Sequence, residues 1–283
     1  MLSLTSSFGR PEMTHVALTY RDPLKYVLQQ AAQRGLISAV EVVPSGYVKS
    51  GLGALLAHRL AELGLPYSFH FVDNSLASAD FPENNHVARI KEFMSGFSPI
   101  FVSDHLTAHR IGDLDLETNL PVVCTPDAVD VYVENIHMMV DAIQPDCPVL
   151  LEHVPTYYRH AASTLDELTT YSAVVRESGV SVLLDLHNLY CDERNVGTDP
   201  ERFIDALPAE LIREVHLAGG REIEGTGAYL DSHDSKVPER VFELLERVMD
   251  LASPDLIVIE REHIFDTPDQ LFRDLERVNE VVN

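Results

Sequence analysis

Residues 148–154 read PVLLEHV, 181–188 SVLLDLHN, 214–219 EVHLAG and 256–262 LIVIERE. Each is a short run of branched apolar residues that meets a carboxylate or a histidine at or near its end. The same form stands earlier as YSFHFV at 67–72 and PIFVSDHL at 99–106, with HVALTY at 15–20 and AVEVVP at 39–44 before them. Runs of this length, apolar on both faces, read as parallel strands buried on both sides. Helical periodicity fills the intervals, so strands alternate with helices and right-handed crossovers are expected. Polar ends on nearly every strand favour closure into a (β/α)₈ TIM barrel. In an open doubly wound sheet they would gather at one switch point.

The helical segments carry their own punctuation. Asp22-Pro23 opens the first as an N-cap followed by proline, running toward Arg34-Gly35. Leu52, Leu55, Leu56, Leu60 and Leu63 form an apolar stripe that stops at Gly64. Val87, Ile90, Phe93 and Met94 form a third stripe, and Pro126 starts a fourth toward Ile143. Ser163 with Asp166-Glu167 caps a fifth, ending at Ser178-Gly179. Phe203 and Ile204 lie on a short sixth, and Pro238 and Pro268 begin the last two. The whole chain, 1–283, reads as one barrel domain. Its longest insertion, 107–125 after the fourth strand, is placed to rise above the mouth as a lid or docking loop.

Composition narrows the function. No apolar stretch approaches the ~18 residues of a membrane helix, and the first residues lack the basic start and apolar core of a secretory signal. Cys124, Cys147 and Cys191 are scattered and form no metal or disulfide pattern, which suits a reducing cytoplasm. The formal net charge is −24. Such a surface repels nucleic acid and anionic membranes, so neither is expected as a partner. Solvation, including adaptation to a salty cytoplasm, is the plainer account of that charge; attraction to a cationic peptide is the functional one.

In a barrel the strand ends converge on the C-terminal face, where the chemistry of this architecture sits. In chain order they bring His70, His105, Glu152, Asp185, His216 and Glu260, with Asp231 and His233 from the D-S-H triplet after the seventh strand. Strand parity lets these face inward: Glu152 shares a face with Leu150, Asp185 with His187, and Glu260 with Val258 and Glu262. Asp104 and His153 fall on the opposite, helix-facing side. Imidazoles and carboxylates without cysteine suit iron, manganese, zinc or cobalt, whereas magnesium or calcium prefer oxygen alone. A lone strand-end histidine is usually a satisfied core or surface group. His15, His58, His86, His109, His137, His160 and His263 keep that structural reading, and for Glu41 the two readings stand level. Eight groups in register point instead to a multinuclear metal site, with Glu152 the best-placed bridge.

That ligand order resembles the xylose-isomerase-like superfamily, in which endonuclease IV uses it for three zinc ions. The words HFVDNSLAS, VSDHLT, LLEHVPTYY, LLDLHNLY, EVHLAGG, DSHDSKVPERVFELL and LIVIERE resemble more specifically the multinuclear non-heme iron-dependent oxidases. The resemblance covers strands three to eight. It implies one iron on His70, His105 and Glu152, and a second on Glu152, Asp185, His216 and Glu260. A third site would take Asp231, His233 and Asn188, giving two to three ions per chain, with zinc or manganese as the alternative metal. It further implies O₂-dependent oxidation of a ribosomally made peptide, at cysteine or another side chain, presented by a small recognition protein. Glu152, Asp185 and His105 would be the catalytic ligands. The chain departs from the family's words at His153, His187, Gly220, Ser235 and Glu262, which makes His187 a further candidate ligand.

Two other enzyme classes fit the ligand types. A zinc phosphodiesterase of the endonuclease IV kind would need a basic face for DNA, and a divalent-metal sugar isomerase or epimerase needs fewer ligands. A metal-storage barrel would lack an open coordination position. If the acidic surface is a salt adaptation, screening of carboxylate repulsion should raise the melting temperature from low to molar KCl at fixed metal content. A flat or falling curve assigns the charge to a cationic partner.

Overall fold

The computed structural model describes residues 13–81, 86–111, 114–116, 118–262 and 268–283. The eight strands are β1 (His15–Tyr20), β2 (Ala39–Val42), β3 (Tyr67–His70), β4 (Val102–His105), β5 (Val149–Glu152), β6 (Ser181–Asp185), β7 (Ile212–Leu217) and β8 (Leu256–Ile259). They close in sequential order, every pair parallel, with β1 bonded to both β2 and β8. This is the expected (β/α)₈ barrel. Most strands are shorter than the apolar runs, and β3, β4, β5 and β6 end on the polar residue itself: His70, His105, Glu152 and Asp185.

The helices are α1 (Lys25–Gln33), α2 (Ser45–Ser50), α3 (Gly53–Leu63), α4 (His86–Met94), α5 (Pro126–Ile143), α6 (Glu167–Ser178), α7 (Leu186–Val196), α8 (Pro200–Ala206), α9 (Glu239–Leu251) and α10 (Pro268–Val282). Their apolar stripes pack on the outer wall of the barrel around Val40, Phe69, Val102, Leu151, Val182, Val215 and Ile257. A smaller core of Ala17, Ala39, Phe101, Leu150, Leu183, Leu256 and Val258 fills the barrel itself. Thr125 and Asp166 cap α5 and α6 by accepting from the amides of Ala128 and Thr169. Gly64 ends α3 in the left-handed conformation (φ 64°), as its place after the leucine stripe requires.

Four local expectations are corrected. Asp22 does not cap α1: it opens a 3₁₀ turn, Asp22–Leu24, and its carboxylate meets Tyr20 and Arg59. Asp166 rather than Ser163 caps α6, and the Ser163 hydroxyl accepts from the Cys124 amide. The run 181–188 is strand only to Asp185, which caps α7 by accepting from the Asn188 amide at 2.8 Å. His187 therefore does not alternate with Asp185 on a strand but sits in the first turn of a helix. β8 likewise ends at Ile259, so parity does not reach Glu262, which turns outward to pair with Arg21 at 2.7 Å.

The described residues of 107–125 form a short antiparallel pair and a tie at its base. Arg110–Ile111 pairs antiparallel with Leu114–Asp115, and Thr107 exchanges two hydrogen bonds with Leu120. Its root is tied to the loop after β3, where Ala77 donates to the Thr107 carbonyl and His109 to the Ser75 hydroxyl.

Leu183 is fully buried inside the barrel. Leu183→Ala should cost roughly 2–5 kcal/mol through lost contacts and an unfilled cavity, against about 1 kcal/mol for loss of the cap in Asp166→Ala. Denaturant midpoints of the two variants check the ranking; equal shifts would contradict it.

Candidate metal centre

The mouth is built by register. β4 and β5 place His105 beside Glu152, and β6 and β7 place Asp185 beside His216. His70 ends β3, and its ring lies 4.6 Å from that of His105 and 5.4 Å from that of His216. Glu260 follows β8 and is buried with them. Asp231 and His233 come from the loop before α9, where His233 holds a left-handed backbone (φ 48°) that is costly for a non-glycine residue. All eight of these predicted site residues therefore meet at one end of the barrel.

Their atoms fall into overlapping groups. The ligand-capable atoms lie within 4.8 Å of one another in each of three sets: His70, His105 and Glu152; Glu152, Asp185 and His216; Asp185, His233 and Glu260. Glu152 belongs to the first two. Its Oε2 faces His70 Nε2 at 3.3 Å and His105 Nε2 at 3.2 Å, yet makes no hydrogen bond. Glu260 Oε2 is placed alike, 3.2 Å from His216 Nδ1 and 3.7 Å from His233 Nε2. Asp185 Oδ2, His216 Nδ1 and His233 Nε2 are also buried without a hydrogen-bond partner. A buried polar atom left unpaired is costly. Donor atoms that crowd together without aligning on one another fit a cation held between them. These residues fit a metal centre.

Supporting contacts fix the ligand faces. The Ser103 hydroxyl lies 2.9 Å from His70 Nδ1, which leaves Nε2 for Glu152. Asn188 Nδ2 donates to Glu152 Oε1 at 2.9 Å and to the His153 carbonyl. The described contacts of Asn188 thus run to Glu152, while Asp231 meets His233 Nε2 at 2.8 Å and His187 Nδ1 at 2.7 Å. His187, Cys191 and Asp231 form a fourth close group, and Glu41, His216 and Glu260 a fifth. His153 faces the helices as expected, packing on Tyr171 and Phe203, whereas Asp104 accepts from Asn74 in the loop after β3.

Most of the other histidines have structural partners. His109 meets Asp115, His86 meets Asp73, His15 meets Ser38, His58 meets Glu62, and His137 faces the Ser178 carbonyl. Exposed His160 accepts from the Ala162 amide, and His263 lies outside the described residues. Sequence reasoning missed Glu214, which is fully buried two residues before His216 on the same strand face. The E-V-H spacing was the available signal.

Electrostatics in this crowd pull in opposite directions. Burial works against the charged form of His105, but the Glu152 carboxylate outweighs it and holds the imidazole up at about 9. Burial, reinforced by Glu152 and Glu260, pushes Asp185 well above the usual carboxylate range. Burial would also raise Glu260, yet the imidazoliums of His233 and His216 hold it well below that range. With only its own charges the ring takes up protons, and a bound cation must displace them.

A family profile described as RiPP precursor modification enzyme MbnB/TglH/ChrH matches residues 15–283. The chain belongs to this family. Membership indicates an enzyme that modifies a ribosomally made peptide precursor. Relatives include a UPF0276 protein of Caulobacter vibrioides NA1000, 33% identical over 230 residues that make up 81% of each chain. A UPF0276 protein of Chromobacterium violaceum is 31% identical over 221 residues, 78% of each chain. Among solved structures, D-allulose 3-epimerase from Methylomonas superposes with a TM-score of 0.63 at 13% identity, covering 96% of this chain and 98% of that one. A xylose isomerase domain protein from Salmonella typhimurium gives 0.60 at 17% identity, covering 98% and 100%. At these identities the likeness concerns the fold, a xylose-isomerase-like TIM barrel.

The protonated ring has a pH consequence. Metal and proton compete for the same atoms, and protons held by His105 are lost only as pH rises toward about 9. Apparent zinc affinity should therefore climb from pH 6 to 9, with proton release on binding in weakly buffered calorimetry. A flat profile without proton release would contradict it.

Proposed function

We propose that this chain is a multinuclear non-heme iron oxidase that uses O₂ to modify a ribosomally made peptide. One observation carries the reading: Glu152 Oε2 and Glu260 Oε2, both buried, each face two imidazole nitrogens at 3.2–3.7 Å. Mixed imidazole and carboxylate donors in adjoining groups suit two or three iron ions better than a single divalent ion. His70, His105 and Glu152 would hold one ion, and Glu152, Asp185, His216 and Glu260 a second. Asp231 and His233 would hold a third, for which His187 competes with Asn188 as the remaining donor.

Iron bound there would supply the electrons and open coordination positions that O₂ chemistry needs. The protein's own contribution is placement. Glu152, Asp185 and His105 are the residues through which we read catalysis. Asn188 steers Glu152 by its amide, and Ser103 sets the His70 ring face. The ligands themselves are buried, His70, Glu152, Asp185 and His216 almost completely, which limits water at the ring. The peptide, with the help of a small recognition protein, would reach the mouth across the 107–125 loop. Among the described residues no helix is long and apolar enough to cross a membrane. Three free thiols support a reducing cytoplasm as the place of work.

Protein purified without oxygen should carry two to three metal ions per chain, mainly iron, and absorb in the near-UV and visible after exposure to air. Glu152→Ala should remove at least one ion per chain more than Asp231→Ala, since Glu152 joins two groups and Asp231 serves the outer one. Equal losses by elemental analysis would contradict the ranking. Zinc alone, with activity intact after iron chelation, would replace the oxidase reading with a hydrolase.

A further inference from the structure

Below the mouth the barrel interior carries a polar layer where such barrels usually pack branched apolar side chains. Thr19, Glu41 and Ser68 lie level on β1, β2 and β3 by strand register. Glu214 reaches the same layer from β7, across the barrel. Glu41, Ser68 and Glu214 are fully buried, and Thr19 nearly so. The Thr19 hydroxyl donates to Glu41 Oε1 at 3.1 Å, and the Ser68 hydroxyl to Glu214 Oε1 at 3.2 Å. Each glutamate keeps a second oxygen, Oε2, without a hydrogen-bond partner. Two carboxylates with no solvent are costly unless they serve a partner.

Both carboxylates border the lower edge of His216. Glu41 Oε2 lies 2.9 Å from His216 Nε2, close but not aligned as a hydrogen bond, and Glu214 Oε1 lies 3.8 Å from the same nitrogen. The upper edge, Nδ1, lies 3.2 Å from Glu260 Oε2. One imidazole thus spans from the buried layer to the metal centre. A neutral ring has one N–H and one lone pair, and the neighbour of the first decides where the second points.

We infer that Glu41 is a positioning residue of the metal centre: from its place 2.9 Å away it takes the Nε2 proton of His216 when the ring swings into line on metal binding, and thereby directs the Nδ1 lone pair at the cation that Glu260, Glu152 and Asp185 would share. The inference rests on the metal-centre reading above. Glu41 touches neither substrate nor ion in this role. It fixes the ring's tautomer and orientation and raises its donor strength, as carboxylates behind ligating histidines do. Thr19 holds the carboxylate by its other oxygen, so Glu41 cannot swing away. Glu214, farther from the nitrogen, lends negative charge to the same edge.

The test uses zinc as a diamagnetic probe in the full chain. ¹⁵N NMR of histidine-labelled, zinc-loaded protein should show His216 protonated at Nε2 and metal-bound at Nδ1. Glu41→Gln, which keeps the shape but removes the charge, should weaken zinc binding about 10–100-fold in competition titrations. Glu214→Gln should weaken it less. A His216 ring protonated at Nδ1, or Glu41→Gln with unchanged affinity, overturns the inference while leaving the metal centre standing. A wild-type chain that takes up no zinc or iron overturns the metal-centre reading and the inference with it. The wild-type spectrum is decisive even if a variant fails to fold.

Discussion

Five buried carboxylates, from Glu41, Glu152, Asp185, Glu214 and Glu260, crowd the upper barrel, and the rest of the site is arranged around their mutual repulsion. Water cannot screen them there. The compensating charge comes from imidazoles at 2.9–3.8 Å or from bound cations. Arginines are almost absent from the crowd. The described salt bridge of Arg21 is to Glu262, and buried Arg261 faces Asp274. A centre neutralised by histidine stays open to metal, because imidazole yields its proton far more readily than guanidinium.

The fold supplies the constraint that keeps this crowd together. Parallel closure fixes His105 level with Glu152 and Asp185 level with His216. A register slip in either pair would turn one partner toward the helices and leave the other charge unmatched. The interior core of Leu150, Leu183 and Val258 below anchors that register. Stability and chemistry therefore draw on the same strand pairs, with apolar layers beneath and polar ones above.

Much of this was legible in the sequence. Apolar runs ending in His, Asp or Glu marked the strands, and their polar ends named the ligands later found together. Where strands gave way to helices, parity misled: the LLDLHN run alternates like a strand, but Asp185 is better used as an N-cap, which turns His187 into a helical residue. Glu262 was misplaced for the same reason, its ladder having ended at Ile259. The polar layer of Thr19, Glu41, Ser68 and Glu214 was the hardest to see. Its members are far apart in sequence and become neighbours only when the barrel closes, so no local pattern shows that one glutamate stands under His216. Short caps such as Asp166 against Ser163 were decided by backbone geometry that composition does not encode.

The central claim is that the ring binds more than one ion through a shared Glu152. Anomalous diffraction at the iron edge, from crystals grown without oxygen, measures that directly. The account predicts at least two peaks about 3.5–4 Å apart, one among His70, His105 and Glu152 and the other among Glu152, Asp185, His216 and Glu260. A single peak away from Glu152, or none within the ring, would contradict it.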